Sequence, residues 1–280
     1  MVANIKSVLV GLTKRSDGDD GSSAVGFGLS LAQQTGAHLT VQAASLKLVL
    51  TTSWVTSFAA QLVATENRRL HELAAAAAST AQGEAVAVGV VCSTETPHLL
   101  YSDLLSSLTV QARVHDLTIV DSDPDALSLD RGVIDTLLME SGRPVIVVPP
   151  GRSGFSSRKV IVAWDGSAPA ARAVADALPF LRAAENVEII SVTGEKDLCD
   201  IVVGAELAPH LARHGVPVTV KTLRAVNGDV AETFRDQATL LGADMIVMGA
   251  FMHSRLRELM FGGVTQALLK SSPAPLFMGH

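Results

Sequence analysis

Two stretches of this chain open in the same way: Lys6-Ser-Val-Leu-Val-Gly-Leu-Thr13 and Lys159-Val-Ile-Val-Ala-Trp-Asp165, each a short β-branched run that stops at a polar turn. The correspondence continues in order along the sequence. Leu117-Thr-Ile-Val-Asp121 matches Met245-Ile-Val-Met-Gly249, and Arg143-Pro-Val-Ile-Val-Val148 matches Ala274-Pro-Leu-Phe-Met278, with only the loop lengths changed. Repeated elements in a kept order mark an internal duplication. A chain of 280 residues is therefore expected to be one fold of about half that length used twice. The boundaries fall at 1–150 and 158–280, on either side of the turn-rich Pro149-Pro-Gly-Arg-Ser-Gly-Phe-Ser-Ser157.

Within each half, short apolar runs alternate with segments whose apolar residues recur at three and four. The runs fall near 6–11, 38–44, 85–91, 117–121 and 144–148, and again near 159–164, 187–193, 217–223, 244–248 and 274–278. Five strands with helices between them predict an α/β fold: two tandem, doubly wound, five-stranded parallel sheets joined by right-handed crossovers. Ser167 before Pro169 is a good N-cap and starts a helix over 169–181, and a second helix covers 229–241. The long second crossover of the first half, from Ser45 to Gly83, carries the run Ala74–Ala78 and predicts a surface helix. With 48% hydrophobic but only 4% aromatic residues, the core must be aliphatic, as buried parallel sheets are.

Charge and cysteine usage exclude several classes. The net charge is −6, and the acidic excess sits in the first half, so neither half offers the basic surface that a nucleic-acid backbone needs. The most tempting apolar stretch, Leu48 to Thr65, is broken by Thr, Ser and Gln and reads as a loop entering an amphipathic helix, so no membrane span is expected. No signal peptide is seen ahead of Asp17. Cys92 and Cys199 stand far apart and outside any CxxC spacing, which points away from a disulfide framework or zinc site and towards a reducing cytoplasm.

In an open parallel sheet, ligands sit beyond the carboxyl ends of the strands where the strand order reverses, so the residues after the first and fourth strands matter most. In the second half these are Trp164-Asp165-Gly166-Ser167 and the segment from Met248 and Gly249 through Met252, His253, Ser254, Arg255 and Arg257 to Gly262, Gly263, Val264 and Thr265. A glycine at a strand end lets backbone approach a ligand, and a glycine pair opening a helix presents free N–H groups at the positive end of the helix dipole. The motifs of other doubly wound families are missing. There is no G-x-G-x-x-G after a first strand, no GxxxxGK[ST], and neither GxSxG nor HExxH.

The doubled α/β unit, Asp165 at the end of a first strand and the Gly249…Gly262 loop resemble the universal stress protein family in its tandem two-domain form. The resemblance spans nearly the whole chain and is stronger in 158–280 than in 4–150. It implies ATP, with Mg²⁺, in the second half only, with Asp165 on the adenine and ribose side, Met248, Gly249, Met252, His253 and Gly262 along the loop, Gly263 at the position whose hydroxyl meets phosphate, and Val264 and Thr265 following the loop. Nucleotide-binding members carry G-x2-G-x9-G-[S/T]. Here Met252 replaces the second Gly and Gly263 replaces the hydroxyl residue. The first change costs on the order of 1–2 kcal/mol where φ is positive, and the second removes a bond to a charged group worth roughly 1.5–3 kcal/mol.

The first half departs further. Thr13 replaces the Asp and Asp121 the first Gly, and the stretch from Asp121 through Asp123 and Asp125 to Gly132 puts carboxylates where phosphates would go, so no nucleotide is expected there. A cation on Asp121, Asp123 and Asp125 is an alternative. The expectation is a cytoplasmic stress-response binding and signalling module without catalysis, its halves forming an intrachain pseudo-dimer through their last strands, with a homodimer of chains also consistent. The alternatives are a scaffold that binds no nucleotide and slow ATP hydrolysis.

Overall fold

The computed structural model describes residues 2–13, 22–50, 57–122, 129–193, 204–250 and 263–280. The first half supplies β1 (Ser7–Thr13), β2 (His38–Leu46), β3 (Cys92–Glu95), a two-residue β4 (His98–Leu99), β5 (Leu117–Asp121) and β6 (Val145–Val148). The second supplies β7 (Lys159–Ala163), β8 (Asn186–Thr193), β9 (Val218–Arg224), β10 (Met245–Gly249) and β11 (Leu276–Gly279). The order β3-β2-β1-β5-β6 is repeated as β9-β8-β7-β10-β11, parallel throughout, and β4 pairs with β2. Strand order therefore reverses between β1 and β5 and between β7 and β10, which places a crevice at the carboxyl end of each half.

The two five-stranded sets are one continuous sheet. β11 runs antiparallel to β6 with Leu276 opposite Val147, Phe277 opposite Ile146 and Met278 opposite Val145, all buried. Pairing these two strands leaves neither as an open apolar edge.

Helices cover both faces. α1 (Ser23–Thr35), α2 (Ser57–Val88), α5 (Ala168–Ala183) and α6 (Leu207–Arg213) pack on one side; α3 (Tyr101–Arg113), α4 (Leu129–Glu140), α7 (Val230–Leu241) and α8 (Gly263–Lys270) on the other. The caps are local. The Ser167 hydroxyl accepts from the Ala170 N–H at the start of α5, and Asp229 accepts from the Glu232 N–H at the start of α7.

Two expectations are corrected. The run 85–91 is not a strand, because α2 continues to Val88 and β3 begins only at Cys92. Ala74, Ala78, Ala81 and Ala85 form one buried stripe at helical spacing, and the helix keeps that stripe on the core until Gly89 turns left-handed at φ 71°. The alternating valines that suggested a strand, Val86, Val88 and Val91, are exposed. Nor is the stretch after Val148 only a linker. Phe155 is buried there, edge-on between Phe27 of α1 at 5.5 Å and Phe180 of α5 at 5.8 Å, and Phe180 touches Phe277 of β11. Among the described residues, no helix is long and apolar enough to cross a membrane. Cys92 opens β3 as a half-buried free thiol, and Cys199 lies outside the described residues.

Candidate functional site

The turn after β7 is built from local chemistry. Asp165 accepts the Ser167 N–H at 2.9 Å, Gly166 takes a left-handed φ of 75°, and the chain enters α5 under the Ser167 cap. Asp165 itself stays exposed. The preceding Trp164 is buried and pinned on three sides. Its N–H donates to the Ile190 carbonyl, its carbonyl accepts from the Ser191 hydroxyl at 2.8 Å, and its Nε1–H donates to Glu206 Oε1 at 2.8 Å. The other Glu206 oxygen accepts the Gly204 N–H. The indole hydrogen bond, with help from backbone donors, holds the Glu206 carboxyl below the ordinary glutamate range.

A cavity of about 270 Å³ opens between the carboxyl ends of β7, β8 and β10 and the first turns of α7 and α8. Ala163, Trp164, Asp165, Val192, Val230, Phe234, Met248, Gly249, Gly263, Val264 and Thr265 line it. It thus brings together Asp165, Met248, Gly249, Gly263, Val264 and Thr265, which the sequence singles out from segments about eighty residues apart. Met252, His253 and Gly262, together with Ser254, Arg255 and Arg257, lie outside the described residues. Among the described residues the lining is mainly apolar, with Asp165 and Thr265 its polar members. The first backbone N–H groups of α8 add donors that helix geometry leaves without intrahelical partners.

Sequence reading missed Val192, Val230 and Phe234. Val192 is the last apolar residue of β8, at the same end of the sheet as the two expected turns. Val230 and Phe234 follow the Asp229 cap at i and i+4, which turns both to one face of the first helical turns. Those signals are present in the sequence but become a site only once strand order is known.

The two glycines of the site differ. At Gly249 an added Cβ would stand 2.5 Å from the Ala170 nitrogen and 2.7 Å from the Pro169 carbonyl carbon, so α5 could not pack as closely on β10. At Gly263 it would meet none of the described residues within 4 Å.

In the first half, Asp121 stands where Gly249 stands in the second. Its carboxylate accepts the Ala24 N–H at 2.8 Å and the hydroxyl of Ser22, the N-cap of α1. An intramolecular anion already sits at that helix N-terminus. Asp123 and Asp125 lie outside the described residues, among which no group of His, Cys, Asp and Glu is arranged to hold a metal ion.

Residues 156–279 match the model of the universal stress protein family. Among solved structures, a universal stress protein from Archaeoglobus fulgidus DSM 4304 superposes with a TM-score of 0.65 at 13% identity, covering 97% of this chain and 95% of its own. A protein of unknown function from Pseudomonas aeruginosa PAO1 superposes with a TM-score of 0.55 at 16% identity, covering 98% and 92%. At such identities the likeness is one of fold, and it extends over both halves. No curated protein matches the sequence.

Proposed function

Through residues 156–279 the chain belongs to the universal stress protein family, a stress-response family, and from that premise we propose that its second half holds one adenine nucleotide, ATP with Mg²⁺, in the cavity between β7, β10 and α8. One observation carries the reading: Asp165, Met248, Gly249, Gly263, Val264 and Thr265 converge on a single space of about 270 Å³. Trp164, Val192, Phe234 and Met248 give it walls suited to a planar base, and its volume falls just below the roughly 300–1,000 Å³ typical of ligand pockets. Asp165 suits ribose hydroxyls, and the first-turn N–H groups of α8 suit phosphate oxygens. ATP with its Mg²⁺ supplies a polyanionic signal that the protein reads by binding. The residues around it bind and orient, and turnover is no part of the reading. The antiparallel β6–β11 pair supports an intrachain pseudo-dimer in which one half binds and the other is structural. The free thiol of Cys92 accords with a cytoplasmic setting.

Isothermal titration of ATP with Mg²⁺ tests this. Saturable heat at one site per chain, lost in Asp165→Ala and weakened in Asp165→Asn, which keeps the acceptor for Ser167, is the expected result. No heat at millimolar nucleotide would overturn it. The mainly apolar lining and the missing hydroxyl at Gly263 favour a second reading, a scaffold that takes a small apolar ligand or a protein partner, and that negative titration would select it.

A further inference from the structure

The duplication allows the two halves to be compared wall by wall. Tyr101 is the first residue of α3, as Val230 is the first residue of α7. Gly132 and Gly263 stand at the same sequence distance from the prolines that precede the last strands, Pro144 and Pro275. In the second half, Val230 and Gly263 both line the cavity. In the first half the counterpart gap is crossed: a Cβ built on Gly132 would lie 2.2 Å from the Tyr101 hydroxyl oxygen. The phenol of the only tyrosine in the chain therefore reaches from α3 to α4 across the space that Val230 leaves open. Asp121 adds the second element, a carboxylate on the N-terminus of α1.

We propose that Tyr101 is a tethered occupant of the first half's counterpart cavity, an aromatic side chain filling from within the space that the second half leaves for a ligand. The first half is then a self-filled copy of the site, held closed by a ring of its own. This goes beyond the nucleotide reading and does not depend on it, because Tyr101 can be tested with no nucleotide present.

The test is deletion of the ring and its return as a free molecule. Tyr101→Ala is expected to melt below the wild type, and millimolar p-cresol, the tyrosine side chain itself, is expected to raise the Tm of the variant by about 2 °C or more beyond any shift it causes in the wild type, since the second-half cavity is open in both proteins. Equal shifts in both proteins, or none in the variant, would overturn the proposal. If Tyr101→Ala does not fold, Tyr101→Val, carrying the residue of the other half, takes its place. A second measurement needs no variant: in protein labelled at its one tyrosine, ring protons should show a nuclear Overhauser contact to the α-protons of Gly132, and its absence would equally overturn the proposal.

Discussion

Gly249 and Gly279 are register partners at the carboxyl ends of β10 and β11, and both are pressed against the backbone of α5. An added Cβ would fall 2.5 Å from the Ala170 nitrogen in one case and 2.8 Å from the Ala173 Cα in the other. Neither position has a left-handed φ, so glycine is required here for close approach rather than for a turn. We expect Gly249→Ala and Gly279→Ala each to lower stability by roughly 1–3 kcal/mol, the usual cost of overpacking. The check is a urea melt with a lower midpoint and an unchanged slope. A midpoint equal to the wild type in both would show that α5 yields at no cost.

Gly263 is the opposite case, since a side chain there meets none of the described residues within 4 Å. Gly263→Ser restores the hydroxyl that the family loop carries, without a clash against any described residue. If phosphates reach the start of α8, the new bond to a charged group should be worth roughly 1.5–3 kcal/mol, about a tenfold or greater gain in ATP affinity. Titration of the two proteins side by side measures it. An unchanged affinity would place the phosphates elsewhere.

How much of this was legible beforehand varies from element to element. The duplicated strands, the Ser167 cap and the turn at Asp165 could be read because each depends on neighbours in sequence. Val192, Val230 and Phe234 could not, because they share a cavity only through the reversal of strand order. The valines of 85–91 misled because alternation signals a strand, whereas the alanine stripe from Ala74 to Ala85 kept the chain helical by packing on β2. Phe155 was hidden in a segment whose Pro, Gly and Ser content spelled linker, although a single aromatic there joins the cores of both halves.

That aromatic bears directly on stability. Phe155 contacts Phe27 of the first half and Phe180 of the second, both fully buried. Phe155→Ala is expected to cost about 3–5 kcal/mol, as for other buried aromatics. Because it bridges the halves, it should also separate their unfolding into two transitions by calorimetry. A single transition at the wild-type Tm would show that the β6–β11 pair alone couples them.

Asp121 can be tested apart from Tyr101. Its carboxylate accepts from the Ala24 N–H and the Ser22 hydroxyl at the start of α1. Asp121→Ala removes both bonds and the charge at the helix N-terminus, and should cost about 1.5–3 kcal/mol in a denaturant melt. Asp121→Asn, which retains an acceptor, should recover part of that loss. Equal losses in the two variants would mean that the charge, rather than the hydrogen bond, is what α1 requires.

Trp164 links the cavity to a group that titrates. Glu206 accepts the Trp164 Nε1–H, and this bond is the largest reason its carboxyl lies below the ordinary glutamate range. A carboxyl with a depressed native pKa contributes stability that is fully present above its unfolded value and is lost as pH falls through the native one. The wall made by Trp164 should therefore stay in place at neutral pH and loosen only under acid conditions. In a Trp54→Phe background, where Trp164 is the remaining tryptophan, fluorescence should show an acid step with its midpoint below the usual glutamate value of about 4.3. Glu206→Gln should abolish that step while keeping an acceptor for the indole. A step at or above the ordinary value, or one that survives the substitution, would mean that a different group controls the indole. The cavity wall next to Asp165 would then answer to that group's titration instead.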